Sequence, residues 1–159
     1  MLRIAALALL GGLCLCQAAE PTKFYKFDFT VKELEGGKVM SARNYSLILP
    51  VGTSQPNQIR TGNRVPMQTG SGSTYYDMGV NIDCRNVTED GDSVSAQVNA
   101  EFSSAAPDSS ASNLPPVIRQ YKWGSTVLAP LRKPTVIFSS DDPNSKRQMQ
   151  IELTAAPIH

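Results

Sequence analysis

The 159-residue sequence predicts an all-β fold, an antiparallel sandwich or partly closed barrel of about seven or eight strands. Three observations lead there: strict apolar/polar alternation over several runs, turn chemistry between those runs, and no stretch with a sustained helical period. A chain of this length suits one domain with a core of its own.

The first segment stands apart. Arg3, the apolar run from Ile4 to Leu15 and the small residues Ala18 and Ala19 read as the basic start, hydrophobic middle and cleavage site of a secretory signal peptide, assigned to residues 1–19. The run falls short of the ~20 residues that span a bilayer as a helix, so its removal is expected. No other stretch is apolar enough to cross as a helix. A lipid anchor on Cys14 or Cys16 is the rival reading, although leucine precedes each cysteine where lipoprotein processing takes a small residue. Residues 20–159 then form the single domain, with Cys84 as its lone cysteine and no internal disulfide. Losing Arg3 leaves 14 basic against 14 acidic residues, a balance that gives little pull toward nucleic acid or anionic lipid.

Residues 23–34 alternate, with Tyr25, Phe27, Phe29 and Val31 on one side and Lys26, Asp28, Thr30 and Lys32 on the other, which predicts a half-buried strand. Gly36-Gly37 supplies the positive-φ positions of a tight turn, and Val39 to Leu49 returns as the second arm of a long hairpin. After the loop Pro50 to Pro56, Ile59 to Val65 reads as a short strand broken near Gly62. Tyr76, Met78, Val80, Ile82 and Cys84 share the apolar face of the next strand, and Gly79 on its polar face marks a close backbone approach or a bulge. Glu89-Asp90-Gly91-Asp92 is a hairpin turn, followed by Val94 to Ser103 with Val94, Ala96, Val98, Ala100 and Phe102 inward. Residues 104–116 are too polar to offset the entropy of ordering and read as a mobile loop. Val117 to Leu128, Thr135 to Phe138 and Met149 to Leu153 complete the strands.

The inventory argues against catalysis. His159 is the only histidine and the last residue, where a chain end rarely holds fixed geometry. One histidine and one remaining cysteine cannot build a zinc or haem site, so no cofactor or metal is expected. Cys84, on an apolar strand face, reads as a small hydrophobe. Glu89, Asp90 and Asp92 lack the ligand spacing of a calcium loop and read as a solvated hairpin tip, as do Asp141 and Asp142. Asn44-Tyr45-Ser46 and Asn86-Val87-Thr88 match the glycosylation pattern, which matters only in a eukaryotic secretory route. Tyr121 and Trp123 alternate with Gln120 and Lys122, which places them in the core, over a sheet edge or on a ligand platform.

The region from Ile59 to Ser140 resembles the C-terminal domain of the bacterial secretins, the outer-membrane channels of type II and III secretion and of type IV pili. The matching pieces stand in the family's order: Thr61-Gly62-Asn63-Arg64-Val65-Pro66, then Tyr76-Asp77-Met78-Gly79-Val80-Asn81-Ile82, then Glu101-Phe102-Ser103 closing a paired strand. Pro116-Val117-Ile118-Arg119-Gln120, Ser125-Thr126-Val127 and Lys133-Pro134-Thr135-Val136-Ile137 follow. Where secretins carry a Gly-Gly-Leu type ending, this chain has Phe138-Ser139-Ser140-Asp141-Asp142. It also shows no repeated periplasmic domains and no long lipid-facing hairpin, which points away from a gated export channel. The resemblance implies a short, reduced secretin-like protein of the periplasm or cell envelope, non-enzymatic, acting through self-association or docking on a protein partner. The alternative is a ligand-binding sandwich or barrel with an aromatic pocket. Under either reading the contact residues are Tyr75, Tyr76, Tyr121 and Trp123. A hydrolase ranks third, because the spacing brings no two carboxylates together as a convincing pair on one strand face outside the turn tips.

Overall fold

A computed structural model describes residues 22–69, 72–105, 118–143 and 145–158. The predicted signal peptide, most of the Ser- and Ala-rich loop, and His159 lie outside the described residues. Eight strands follow in chain order: β1 (Phe24–Glu35), β2 (Lys38–Pro50), β3 (Asn57–Thr69), β4 (Gly72–Asp90), β5 (Ser93–Ala105), β6 (Ile118–Pro130), β7 (Thr135–Asp141) and β8 (Arg147–Ile158). They form two four-stranded antiparallel sheets, ordered β2-β1-β8-β7 and β3-β4-β5-β6. The sheets pack face to face as a sandwich and do not close into a barrel, which settles the two predicted architectures in favour of the first.

Strand direction follows from the turns. Gly36 and Gly37 have φ of 58° and 82°, and the two-residue turn they form matches the twist of the strands it joins. Gly91, at φ 57°, does the same between β4 and β5. The connections β1–β2, β3–β4, β5–β6 and β7–β8 all fall at one end of the sandwich, and the remaining connections fall at the other.

Period-2 alternation fills the space between the sheets. Tyr25, Phe27, Phe29 and Val31 of β1 meet Val80, Ile82 and Cys84 of β4 and the Val94 to Phe102 inward set of β5, all buried. Each large apolar side chain so buried contributes about 1.5–3 kcal/mol, which is where a domain with no disulfide finds its stability. On the solvent face of the first sheet, Asp28 takes bonds from Ser46 and Lys26, and Lys32 pairs with Glu152.

Several predicted boundaries move, each for a tertiary reason. β3 is not broken near Gly62 but runs unbroken for 13 residues. Gly62 sits directly opposite Gly79 of β4, and a Cβ on either would strike the other strand's backbone, so the pair is a close approach within a continuous ladder. β4 continues past Cys84 through a bulge between Arg85 and Thr88, where Asn86 adopts φ 54°. That single left-handed residue shifts the alternation by one and turns Val87 into the core. The loop before β3 holds the bulge, through Gly52 N–H on the Val87 carbonyl (3.0 Å) and Asn86 N–H on that of Thr53 (3.1 Å). β8 extends five residues beyond the predicted Leu153, because β1 pairs along its whole length and the small Ala155 fits opposite Phe27 in the buried layer.

Candidate functional site

At the end opposite the four hairpin connections the sandwich is tight and locked. The buried Tyr25 hydroxyl donates to Glu89 Oε1 (2.8 Å), and Lys23 Nζ donates to Oε2 (2.7 Å), tying β1 to the end of β4. These bonds hold the Glu89 carboxyl below the usual range, Lys23 first and Tyr25 second, while burial and Glu89 push the Tyr25 hydroxyl up. Glu89 is exposed beside the β4–β5 turn, as expected, and also bridges to β1.

Toward the hairpin end the layers part. Pairing between β4 and β5 stops at Val80–Phe102, and from there β3 and β4 continue alone as a projecting hairpin. Ser103 stands at the fork: Gly79 N–H donates to Ser103 Oγ (3.0 Å), and the hydroxyl reaches the Asp77 carbonyl (3.5 Å). A side chain here takes over from the ladder at the point where the strands diverge.

The divergence leaves a cleft of about 390 Å³ between β2 and the β3–β4 hairpin, with Arg43 and Tyr45 on one wall and Asn63, Val65 and Met78 on the other. At its base lies a cavity of about 80 Å³ walled by Val31, Val80, Phe102, Tyr121 and Met149, with Glu33 and Arg43 at its margin. Inward-facing positions change character along the strands, from Phe27 and Phe29 to Glu33 on β1 and from Leu49 to Arg43 and Ser41 on β2.

Ion pairs stitch the far side of this end. Arg147 reaches Glu33 (3.1 Å) and Arg119 reaches Asp142 (3.6 Å). Asp142 was expected at a solvated tip, yet its side chain is only 6% exposed, because the β7–β8 turn folds it under Arg119 and Ser145 donates to its Oδ2 (2.8 Å). Burial, and then the Asp142 charge, raise the Tyr121 hydroxyl.

The four predicted contact residues do not converge. Tyr75 and Tyr76 lie on the projecting part of β4 at 57% and 42% exposure, with Arg64 stacked 5.5 Å over the Tyr75 ring and paired with Asp77 (3.3 Å). Tyr121 borders the cavity from β6, whereas Trp123, half-buried, packs against Phe138 at 5.5 Å between ring centroids on the margin of the core. The residues that sequence reasoning missed are Arg43, Ser41 and Ser104. Their inward positions follow from the alternation on β2 and β5, but nothing local shows that the opposing layer leaves them uncovered. Cys84 is fully buried and its thiol is pushed up to about 12 by burial first and the Asp83 charge second, which makes it the inert hydrophobe expected. Among the described residues no three His, Cys, Asp or Glu side chains converge as a metal site, and no helix is long and apolar enough to cross a membrane.

No protein-family model matches the sequence, and no curated protein matches it either. The fold does match solved structures. The type II secretion secretin XcpQ of Pseudomonas aeruginosa superposes with a TM-score of 0.51 at 14% identity, over 86% of this chain and 56% of that one. PulD of Klebsiella pneumoniae, solved in an outer-membrane complex with PulS and the PulC HR domain, gives 0.52 at 10% identity over 87% and 39%. GspD of enteropathogenic Escherichia coli gives 0.50 at 12% identity over 87% and 66%. The domain therefore has a secretin-like fold, as the resemblance implied. This chain spans between about two fifths and two thirds of the length of these three secretin chains.

Proposed function

We propose that this is a secretin-related protein of the bacterial cell envelope that works without catalysis, by associating with itself or docking on an envelope protein. The observation that carries the reading is the secretin-like fold extending over 86% of the chain. The molecule adds a physical route. Among the described residues β2, β3, β6 and β7 are the sheet edges, where strand addition by a neighbouring chain takes place, and the β3–β4 hairpin projects Tyr75 and Tyr76 into solvent. In this reading Tyr75 and Tyr76 are partner contacts, and Tyr121 borders the cleft that a partner reaches. Residues 1–19 are the export signal, and residues 20–159 are the working domain.

The test is the assembly state of the exported protein. Light scattering is expected to show a discrete oligomer, or an immobilised sample to retain a defined envelope protein that the Tyr75→Ser/Tyr76→Ser double variant does not. A strict monomer that retains nothing would overturn the proposal. The aromatic-pocket alternative has less support, since Trp123 packs against Phe138 at the margin of the core and the two exposed tyrosines stand on the hairpin away from it.

A further inference from the structure

We propose that the base of the cleft binds an aliphatic carboxylate, of the kind presented by the C-terminal valine or leucine of a polypeptide. Three features of the cleft select that chemistry.

The first is charge. Glu33 and Asp142 are each matched by an arginine, Arg147 and Arg119 respectively. Arg43 makes no ion pair or hydrogen bond to any described residue, although it lies on the inward face of β2 directly across from Val31. The charge left uncompensated at the cavity margin is therefore positive. A guanidinium presents a flat fork of donors that fits the two oxygens of a carboxylate.

The second is the wall. Val31, Val80, Phe102 and Met149 give the cavity an apolar lining, and its volume of about 80 Å³ is roughly half of the ~150 Å³ that holds a benzene ring. A branched aliphatic group fits that space, and an aromatic ring does not. Ser41 and Ser104 also line it, and neither hydroxyl is engaged by another described residue, so both are free to donate to an anion held by Arg43.

The third is the way in. The cavity shares Arg43, Gly79, Val80, Ser103 and Ser104 with the larger cleft between β2 and the β3–β4 hairpin. A ligand whose terminal residue sits at the base has room for the rest of its chain to leave between the two walls. The choice of a polypeptide as the source rests on the docking function proposed above; the carboxylate site itself does not.

The experiment uses methyl NMR on the protein as the cell matures it, with N-acetyl-leucine, N-acetyl-leucinamide and a pentapeptide ending in leucine as probes. N-acetyl-leucine is expected to shift the methyl signals of Val31, Val80 and Met149, while the amide binds about ten- to a hundred-fold more weakly because it cannot make the charged bond. Arg43→Met, at an exposed position, is expected to leave the thermal midpoint unchanged and to remove the preference for the acid. Tighter binding of the pentapeptide than of N-acetyl-leucine supports a polypeptide terminus. Equal binding keeps the site, assigns it to a free short-chain acid and counts against the polypeptide source. No methyl shift up to about 20 mM probe, equal binding of acid and amide, or an unchanged Arg43→Met variant would overturn the site.

Discussion

Single residues carry constraints that their chemistry makes measurable. Gly62 and Gly79 face each other so closely that Gly79→Ala sets a methyl against the Thr61 carbonyl and Gly62 Cα. The expected outcome is a loss of about 1–3 kcal/mol in chemical denaturation, the usual cost of overpacking. Cys84 should not react with a thiol reagent at pH 8 until the protein is unfolded. Its raised pKa carries a sign: the proton is held more tightly in the folded chain, so the stabilisation is complete below the ordinary thiol range near pH 8.5 and is lost as pH rises through about 12. Cys84→Ala should flatten that alkaline decline in a thermal melt series. Glu89 works in the opposite direction. Its pKa is lowered by Lys23 and Tyr25, so its contribution is present above the ordinary glutamate range and fades as pH falls through the depressed folded value. Tyr25→Phe should therefore narrow the difference between the thermal midpoints at pH 7 and pH 3.

At the scale of the strand, one alternation decides which side chains are structural. Val80 and Val98 are buried on β4 and β5, while Asn81 and Asn99 face outward one position along. Val80→Asp and Val98→Asp each place a carboxylate without a partner in the core, at a cost of several kcal/mol against a typical domain stability of ~5–15 kcal/mol. Asn81→Asp and Asn99→Asp should leave the denaturation midpoint nearly unchanged, and equal midpoints for the two sets would mean that the strand faces are reversed. The Asn86 bulge adds a sharper case. Asn86 is one of two non-glycine residues with positive φ among the described residues, and it lets β4 bury Val87 where unbroken alternation would bury the asparagine itself. Glycine there should be tolerated and a β-branched valine should not, with thermal midpoint as the readout.

For the molecule as a whole, the tight end and the divided end divide the labour. Cross-sheet bonds at Tyr25 and Glu89 and the aromatic layer of β1 hold the layers together at one end, while the cleft and the β3–β4 hairpin stand open at the other. Export is checked separately. Intact mass of the protein recovered from outside the cytoplasm should show a chain beginning at Ala19 or Glu20, and a mass retaining Cys16 with acyl chains would replace the signal peptide with a lipid anchor.

Most strands, their inward faces and the antiparallel hairpins were legible in the sequence, because each depends on neighbours two residues apart or on a turn of two residues, whereas the strand order within each sheet was not. Tyr25 to Val31 and Val94 to Phe102 needed nothing further, and the ordered pieces from Thr61 to Ile137 carried the likeness to a secretin domain. The cleft was not legible. Arg43, Ser41 and Ser104 occupy inward positions that local alternation assigns to the core, and only the parting of β4 from β5 at Gly79 leaves them open to solvent. The burial of Asp142 was hidden for the same reason, since its partner Arg119 lies on another strand of the opposite sheet. Alternation specifies which way a side chain points, but whether anything stands opposite it depends on the distance between two sheets, and only the packed tertiary structure sets that distance.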